Sequence, residues 1–435
     1  MKGYQSSAIA RSAYAICRWV AVLGLLMICV VGLLGSGETQ AKQPVSIEMW
    51  HWHGAGIEKA IDELVALFNR EHPDIQATAR LFAGDELLNK TKPAIAGGVP
   101  PAILFGDFIW IGQFVDMGVL VPLDSLRTDP QFDIDDYFTA RVGTYEGGLW
   151  ALPYSLSNLG FYYNQDLLNE RGIGMLPNTW DEFTDVGKKV SSFDSEANPI
   201  TIGWSLPYAR GEWTHWIWQT FLWQNEGAFL SDDYQKAEFA SSQGVEALKF
   251  WVDAVHVNRI ASLSPPSWES GKVAFFIDGP WALPWYRTGG AVELRFHWGT
   301  MPLLQKVRRA TNAGGESLMM LRGTPESQAA AMQLMRWLTS TDNLVRFDLA
   351  TGFLPARASA LRSKEYQKAI RAQPELAPFV DMLTYMHVRP QVAQYMEISD
   401  IVSQGIESAV LFKESPEEAL RKAAVQVDRI LEERK

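Results

Sequence analysis

Apolar and polar positions alternate along VSIEMW (Val45 to Trp50), as in a half-buried strand. The period then changes. Ile57, Ile61, Leu64 and Leu67/Phe68 recur at three- and four-residue spacing until Pro73, which predicts a helix with one buried face. IQATARL reads as a second strand, DELLNKTKPAIAGG as a helix interrupted by its proline, PAILF as a buried strand and FIWIGQFVDMG as a third helix. This rotation predicts an α/β fold with a mostly parallel sheet covered by helices on both faces.

The pattern changes at LWALPYSLSNLGFYYN. Leu149 to Pro153 is extended and LGFYYN is a strong strand, and the small polar YSLSN between them suits a chain crossing between domains. Thr179 and Glu182 are spaced as a capping box. GEWTHWIWQTFLWQNEG is apolar on most sides, with Trp213, Trp216, Thr220 and Trp223 along one face. VAFFI is a strand leading into the turn Asp278-Gly279-Pro280. The glycine-broken NAGGESLMML and the later ATGFLPARAS are two further candidate crossings. Thr324 and Pro325 open a helix to about Ser340. The last helix starts at Ser415, with Pro416 in its first turn, Glu418 completing a capping box, and Leu420, Ala423/Ala424, Val427 and Ile430/Leu431 on its packed face.

The first 41 residues read as a secretory leader. Lys2, Arg11 and Arg18 precede an apolar run from Trp19 to Leu34, and Thr39-Gln40-Ala41 offers small residues for cleavage after Ala41. The run is short of the roughly 20 residues a spanning helix needs, although a retained anchor on a sensor protein is the competing reading. Ile28 before Cys29 disfavours a lipid-modified cysteine. Both cysteines, Cys17 and Cys29, lie in the leader, so the mature 394 residues can form no disulfide, thiol nucleophile or cysteine metal cage. The whole chain has 39 basic and 50 acidic residues; losing three basic residues and Glu38 leaves 36 and 49, a net charge of −13. That balance argues against nucleic acid or anionic lipid as partners. The length suggests two domains. Of 17 tryptophans, ten fall between Trp204 and Trp298, a density that calls for more than core filling.

The stretch WHWHGAG ends the first strand and opens the first helix, where α/β sheets bind ligands. If the strand persists, His51 and His53 share a side and Trp52 faces the other way. A metal reading needs a third ligand; His215, His297 and His387 are present, but no spacing beyond His-x-His supports one. We therefore expect no metal and no cofactor, with His51 or Trp52 in a cleft wall or packed under the first helix. Later strand ends lead to Asp85/Glu86 and Asp107/Trp110; Asp85 could equally cap the helix after it. Ser155, Ser157 and Asn158 can donate to and accept from a polyol. Trp281 can offer its face to a pyranose. Gly314 and Gly315 could leave backbone amides open or serve a hinge. Trp204 and Trp213 are weaker candidates from the tryptophan-rich region.

FNREHPDI, LPYSLSNLGFYYNQDLL, TWDEF, GKVAFFIDGPWAL, TGFLPAR and SPEEALRKAAVQV occur in one order along the mature chain. In that order the chain resembles the extracytoplasmic solute-binding proteins of ABC importers, in the large sugar-binding class. GKVAFFIDGPWAL is similar to the maltose-binding branch; WHWHGAG, GGESL and TGFLPAR are more similar to the glycerol-3-phosphate-binding branch. The resemblance implies a two-lobed α/β periplasmic-binding-protein fold with an interlobe cleft and hinge crossovers. Lobe one would be residues 42–153 and 317–358, and lobe two 154–316 and 359–435. It further implies ligand contacts at Glu86, Asp107, Trp110, Ser157, at Gly279 and Trp281 of DGPW, and at Phe353, where the glycerol-3-phosphate branch has a tyrosine. Arg389 falls near that branch's ligand-binding arginine and could hold a phosphate, a carboxylate or hydroxyls.

The expected function is a monomeric periplasmic protein that captures a sugar, up to an oligosaccharide, or a polyol and delivers it to the ABC permease transmembrane subunits. A glycerol-3-phosphate or glycerophosphodiester ligand is the alternative within the class. A secreted carbohydrate-active enzyme is the alternative outside it, although no Ser-His-Asp signature, HExxH, P-loop or dinucleotide fingerprint is present. The leader reading predicts that N-terminal sequencing of the exported protein starts at Lys42; a chain still carrying Trp19 to Leu34 would support the anchored reading instead.

Overall fold

A computed structural model describes residues 43–84, 86–130, 132–138, 140–287 and 294–433. The expected leader, residues 1–41, lies outside the described residues, as does Asp85. Among the described residues, no helix is long and apolar enough to cross a membrane.

The chain begins with β1 (Val45–His51), α1 (Ala55–Glu71), β2 (Ile75–Leu81), α2 (Glu86–Ala96) and β3 (Ile103–Asp107). The extended stretch after Leu149 forms β4 (Ala151–Pro153), and the polar crossing carries β5 (Ser155–Leu156). There follow β6 (Gly160–Asn164), α3 (Trp180–Val190), β7 (Ser192–Phe193), β8 (Pro199–Ser205), α4 (Glu212–Gln224), α5 (Ser242–His256), β9 (Val273–Asp278) and β10 (Trp298–Pro302). The return comprises β11 (Thr311–Ala313), β12 (Glu316–Met320), α6 (Pro325–Leu338), α7 (Thr341–Thr351) and β13 (Leu354–Pro355). The chain ends with α8 (Lys364–Ala372), β14 (Met386–Val388), α9 (Tyr395–Val410) and α10 (Pro416–Glu433).

Two five-stranded sheets result, in the orders β2-β1-β3-β12-β4 and β10-β6-β9-β8-β7. Parallel pairing is less general than the strand–helix rotation predicts. β2, β1 and β3 are parallel, but β12 runs antiparallel to both neighbours. In the second sheet only β8 and β9 are parallel. The reason in the first sheet is connectivity: β12 enters it from a chain crossing rather than from a helical crossover, and so is free of the parallel rule. All five residues of β12 are buried, as expected for a strand covered on both faces.

α6 packs on β1, α1 on β2 and α7, and α9 and α10 on α5. Local signals place the helix ends. The Thr179 hydroxyl accepts from the Glu182 amide while the Glu182 carboxylate accepts from the Thr179 amide. α4 is buried on every side from Thr214 to Gln224, which explains its lack of a polar face.

The first two crossings and the ATGFLPARAS stretch are hydrogen bonded to one another. Ser157 and Gly314 exchange both backbone bonds, at 2.9 and 2.8 Å, and β5 pairs with β13. Beyond residue 358 the chain stays beside α7. α8 still packs on α7, and Tyr366 is fully buried, donating to the Phe353 carbonyl at 3.4 Å. At Glu375 the chain bonds to the second sheet, the carbonyl accepting from Thr300 Oγ1 at 2.6 Å. Gly315 makes the tight junction possible. Its φ is +127°, and a Cβ there would overlap the Ser155 carbonyl. Gly315→Ala is expected to lower unfolding free energy by about 1–3 kcal/mol, measured by urea denaturation.

Candidate ligand-binding cleft

A cavity of about 380 Å³ lies among the C-terminal ends of β1 and β3, the crossings and the start of α4. That is within the ~300–1,000 Å³ typical of small-molecule sites. From the expected set it brings together Trp52, Asp107, Ser157, Trp213, Trp281, Gly314, Gly315, Phe353 and Arg389. His53, Glu212, Trp216 and Glu316 also line it and were absent from that set.

β1 ends at His51, so strand alternation does not continue into the loop. Trp52 and His53 both reach the cavity, while His51 is 1% exposed and packed behind it. Burial, followed by the charge of His53, pushes the His51 pKa down to about 4, keeping the ring neutral. Trp52 Nε1 donates to His53 Nε2 at 3.2 Å, which makes that nitrogen an acceptor.

Five other expected contacts lie elsewhere. Glu86 opens α2 with its side chain exposed, 4.0 Å from Lys90, where a carboxylate favours the helix N-terminus. Trp110 is buried behind Trp52, edge-on at 4.9 Å, and so braces a lining ring without lining the cavity itself. Asn158 turns into the hinge and donates to the Phe379 carbonyl at 2.8 Å. Trp204 is fully buried against Phe183, Phe221 and Trp251. Gly279 provides clearance: a Cβ would overlap the Trp281 ring, and its carbonyl accepts from Tyr162 Oη at 2.8 Å.

The aromatic wall is built from separate elements. Trp216 and Trp281 lie nearly parallel, 22° apart with centroids at 6.1 Å. Trp213 stands 5.6 Å from Trp216, 40% exposed. Phe353 follows the left-handed cap Gly352 and lies 6.2 Å from Trp281.

Opposite charges meet at the cavity floor. Asp107 accepts from Arg389 Nη2 with both oxygens, at 2.8 and 3.1 Å, and from the Ile109 amide. Glu212 accepts from Arg389 Nη1 at 2.8 Å, from Tyr395 Oη at 3.1 Å and from Ser399. The guanidinium carbon also lies 4.6 Å from the Phe108 ring and 5.5 Å from that of Trp216. Burial raises Asp107 to about 6 against the pull of Arg389. Burial raises Glu212 too, but His215, Arg389 and Ser399 together outweigh it and hold the group at about 2. Glu316 accepts from Ser155 Oγ and lies 3.6 Å from His53 Nε2. Among the described residues no group of three or more His, Cys, Asp or Glu is arranged to hold a metal.

The residues missed from sequence have a common cause. Trp216 was visible only as one of a core-like face, and Glu212 and Glu316 as charges flanking glycines. Their convergence depends on how α4 and β12 meet at the crossings.

The structure is similar to that of a cyclic α-maltosyl-1,6-maltose binding protein from Arthrobacter globiformis, with 28% identity, a TM-score of 0.79, and coverage of 89% of this chain and 99% of that one. It is similar in fold to UgpB from Mycobacterium tuberculosis in complex with glycerophosphocholine, with 22% identity, a TM-score of 0.78, and coverage of 89% and 98%. In sequence it is 22% identical over 433 residues to the sn-glycerol-3-phosphate-binding periplasmic protein UgpB of Escherichia coli, covering 92% of this chain and 95% of the relative. The bacterial extracellular solute-binding protein family matches residues 63–374, well over half of the sequence, and this chain, with two sheets flanking a solute-sized cleft, belongs to that family.

Proposed function

We propose that this protein is the periplasmic substrate-binding component of an ABC importer, and that its solute is a sugar or polyol rather than a phosphate ester. The observation that carries the choice of solute is the state of Arg389. It is the one Lys or Arg side chain among the described residues lining the cleft, and Asp107 and Glu212 already bind it. A phosphate would have to displace a buried carboxylate and would still face Glu316. Trp281, Trp216 and Trp213 offer apolar faces for sugar C–H groups, while Ser157, His53 and Glu316 supply polar partners for hydroxyls. A neutral sugar is in keeping with the relative named for cyclic α-maltosyl-1,6-maltose.

A solute touching elements of both sheets favours the closed arrangement by its differential affinity, and the permease reads that arrangement. Export through a cleaved leader places the protein in the periplasm. No reaction is assigned. Glycoside hydrolysis requires a pair of carboxyl groups, and Arg389 engages Asp107 and Glu212, leaving Glu316 alone.

Intrinsic tryptophan fluorescence of the mature protein is expected to change saturably with neutral mono- or oligosaccharides and not with glycerol-3-phosphate or glycerophosphocholine; the reverse pattern would overturn the choice of solute. Trp281→Ala is expected to weaken sugar binding by roughly tenfold or more, as truncating a buried aromatic anchor does. Glu86→Ala is expected to change the affinity less than about twofold, because its side chain faces solvent. Both are measured by calorimetric titration.

A further inference from the structure

The charges lining the cleft do not balance. Three carboxylates, Asp107, Glu212 and Glu316, face one guanidinium. Asp107 and Glu212 share Arg389 between them, which leaves one negative charge on that triad and a second on Glu316, the lining carboxylate without an arginine partner. His53 Nε2 lies 3.6 Å from Glu316 and accepts from Trp52 Nε1, so it donates no hydrogen bond to this carboxylate.

Glu316 is held in place. Its amide donates to Ser155 Oγ at 2.9 Å, its carbonyl accepts from the Tyr154 amide at 3.0 Å, and it pairs with Asp107 in the β3–β12 register. The residue is 7% exposed and its side chain faces the cavity. One carboxylate oxygen accepts from Ser155; the other accepts no hydrogen bond among the described residues. A buried carboxylate with an unused oxygen facing a cavity is costly unless a donor, preferably a cation, arrives there. The aromatic walls have the same preference. The faces of Trp52, Trp216 and Trp281 carry negative quadrupole potential and attract a cation.

We propose that the solute is a sugar bearing a positive charge, an amino sugar whose ammonium group donates to the free oxygen of Glu316 while its pyranose ring packs on Trp281 and Trp216. This rests on the sugar reading above and narrows it. An ammonium at Glu316 compensates that carboxylate; a neutral hydroxyl supplies a hydrogen bond but leaves its charge uncompensated.

The test is calorimetric titration of the mature protein with glucosamine and its β-1,4-linked dimer, with their N-acetylated counterparts, and with glucose and maltose. At neutral pH the amino forms should bind at least tenfold more tightly than the neutral forms of equal length. Raising the pH until the sugar amine loses its proton should erase that ratio in the wild-type protein. Glu316→Gln should also collapse the ratio. Neutral sugars binding as tightly as the amino forms, or a ratio that persists when the amine is deprotonated, would overturn the proposal and leave the sugar reading standing. Absence of binding by every sugar in the set would overturn both.

Discussion

Arg389 lies where the two halves of the molecule meet, and the character of the cleft depends on its pairing. Asp107 closes the last parallel strand of the first sheet, Glu212 opens the buried helix α4, and the guanidinium, 2% exposed, joins them. A charge this deep is tolerable only because two carboxylates and three aromatic rings surround it. Removing either carboxylate would leave an uncompensated buried charge, a loss of about 3–5 kcal/mol. Such a clamp fixes the floor of the cleft and engages both terminal nitrogens of the arginine.

The crossings act on the same region from the other side. Ser157 and Gly314 exchange backbone bonds, β5 pairs with β13, and Gly315 brings the chain against Ser155 without a side chain. This bundle delivers Glu316 to the cavity with its backbone already bonded. The crossings and the cavity wall therefore share residues, Ser157, Gly314 and Gly315 among them.

The tryptophans divide by geometry rather than by sequence neighbourhood. Trp204, Trp218 and Trp251 are fully buried in the second lobe. Trp213, Trp216 and Trp281 come from α4 and from the turn after β9 and meet at the cleft. Within α4, Trp216 and Trp218 are two residues apart, yet one lines the cavity and the other does not, because positions two apart on a helix do not face the same way.

Much of this was legible in the residues themselves. Period-two and period-3.6 patterns located the strands and helices of the first sheet, capping residues such as Thr179 and Thr324 marked helix starts, and the small polar and glycine-broken stretches marked the crossings, because local backbone chemistry decides those features. The order of motifs carried the family. The pairing of distant charges was not legible. Nothing local distinguishes a carboxylate that binds solvent, as Glu86 does, from one that binds Arg389 over an interval of 282 residues, as Asp107 does. Alternation grouped His51 with His53 and set Trp52 apart, but the strand stops at His51, and Trp52 and His53 line the cavity together. Sequence thus determined the elements and the fold; tertiary packing decided which charges cancel, which tryptophans face the solute and which carboxylate is left free, because those outcomes depend on contacts between elements far apart in the chain.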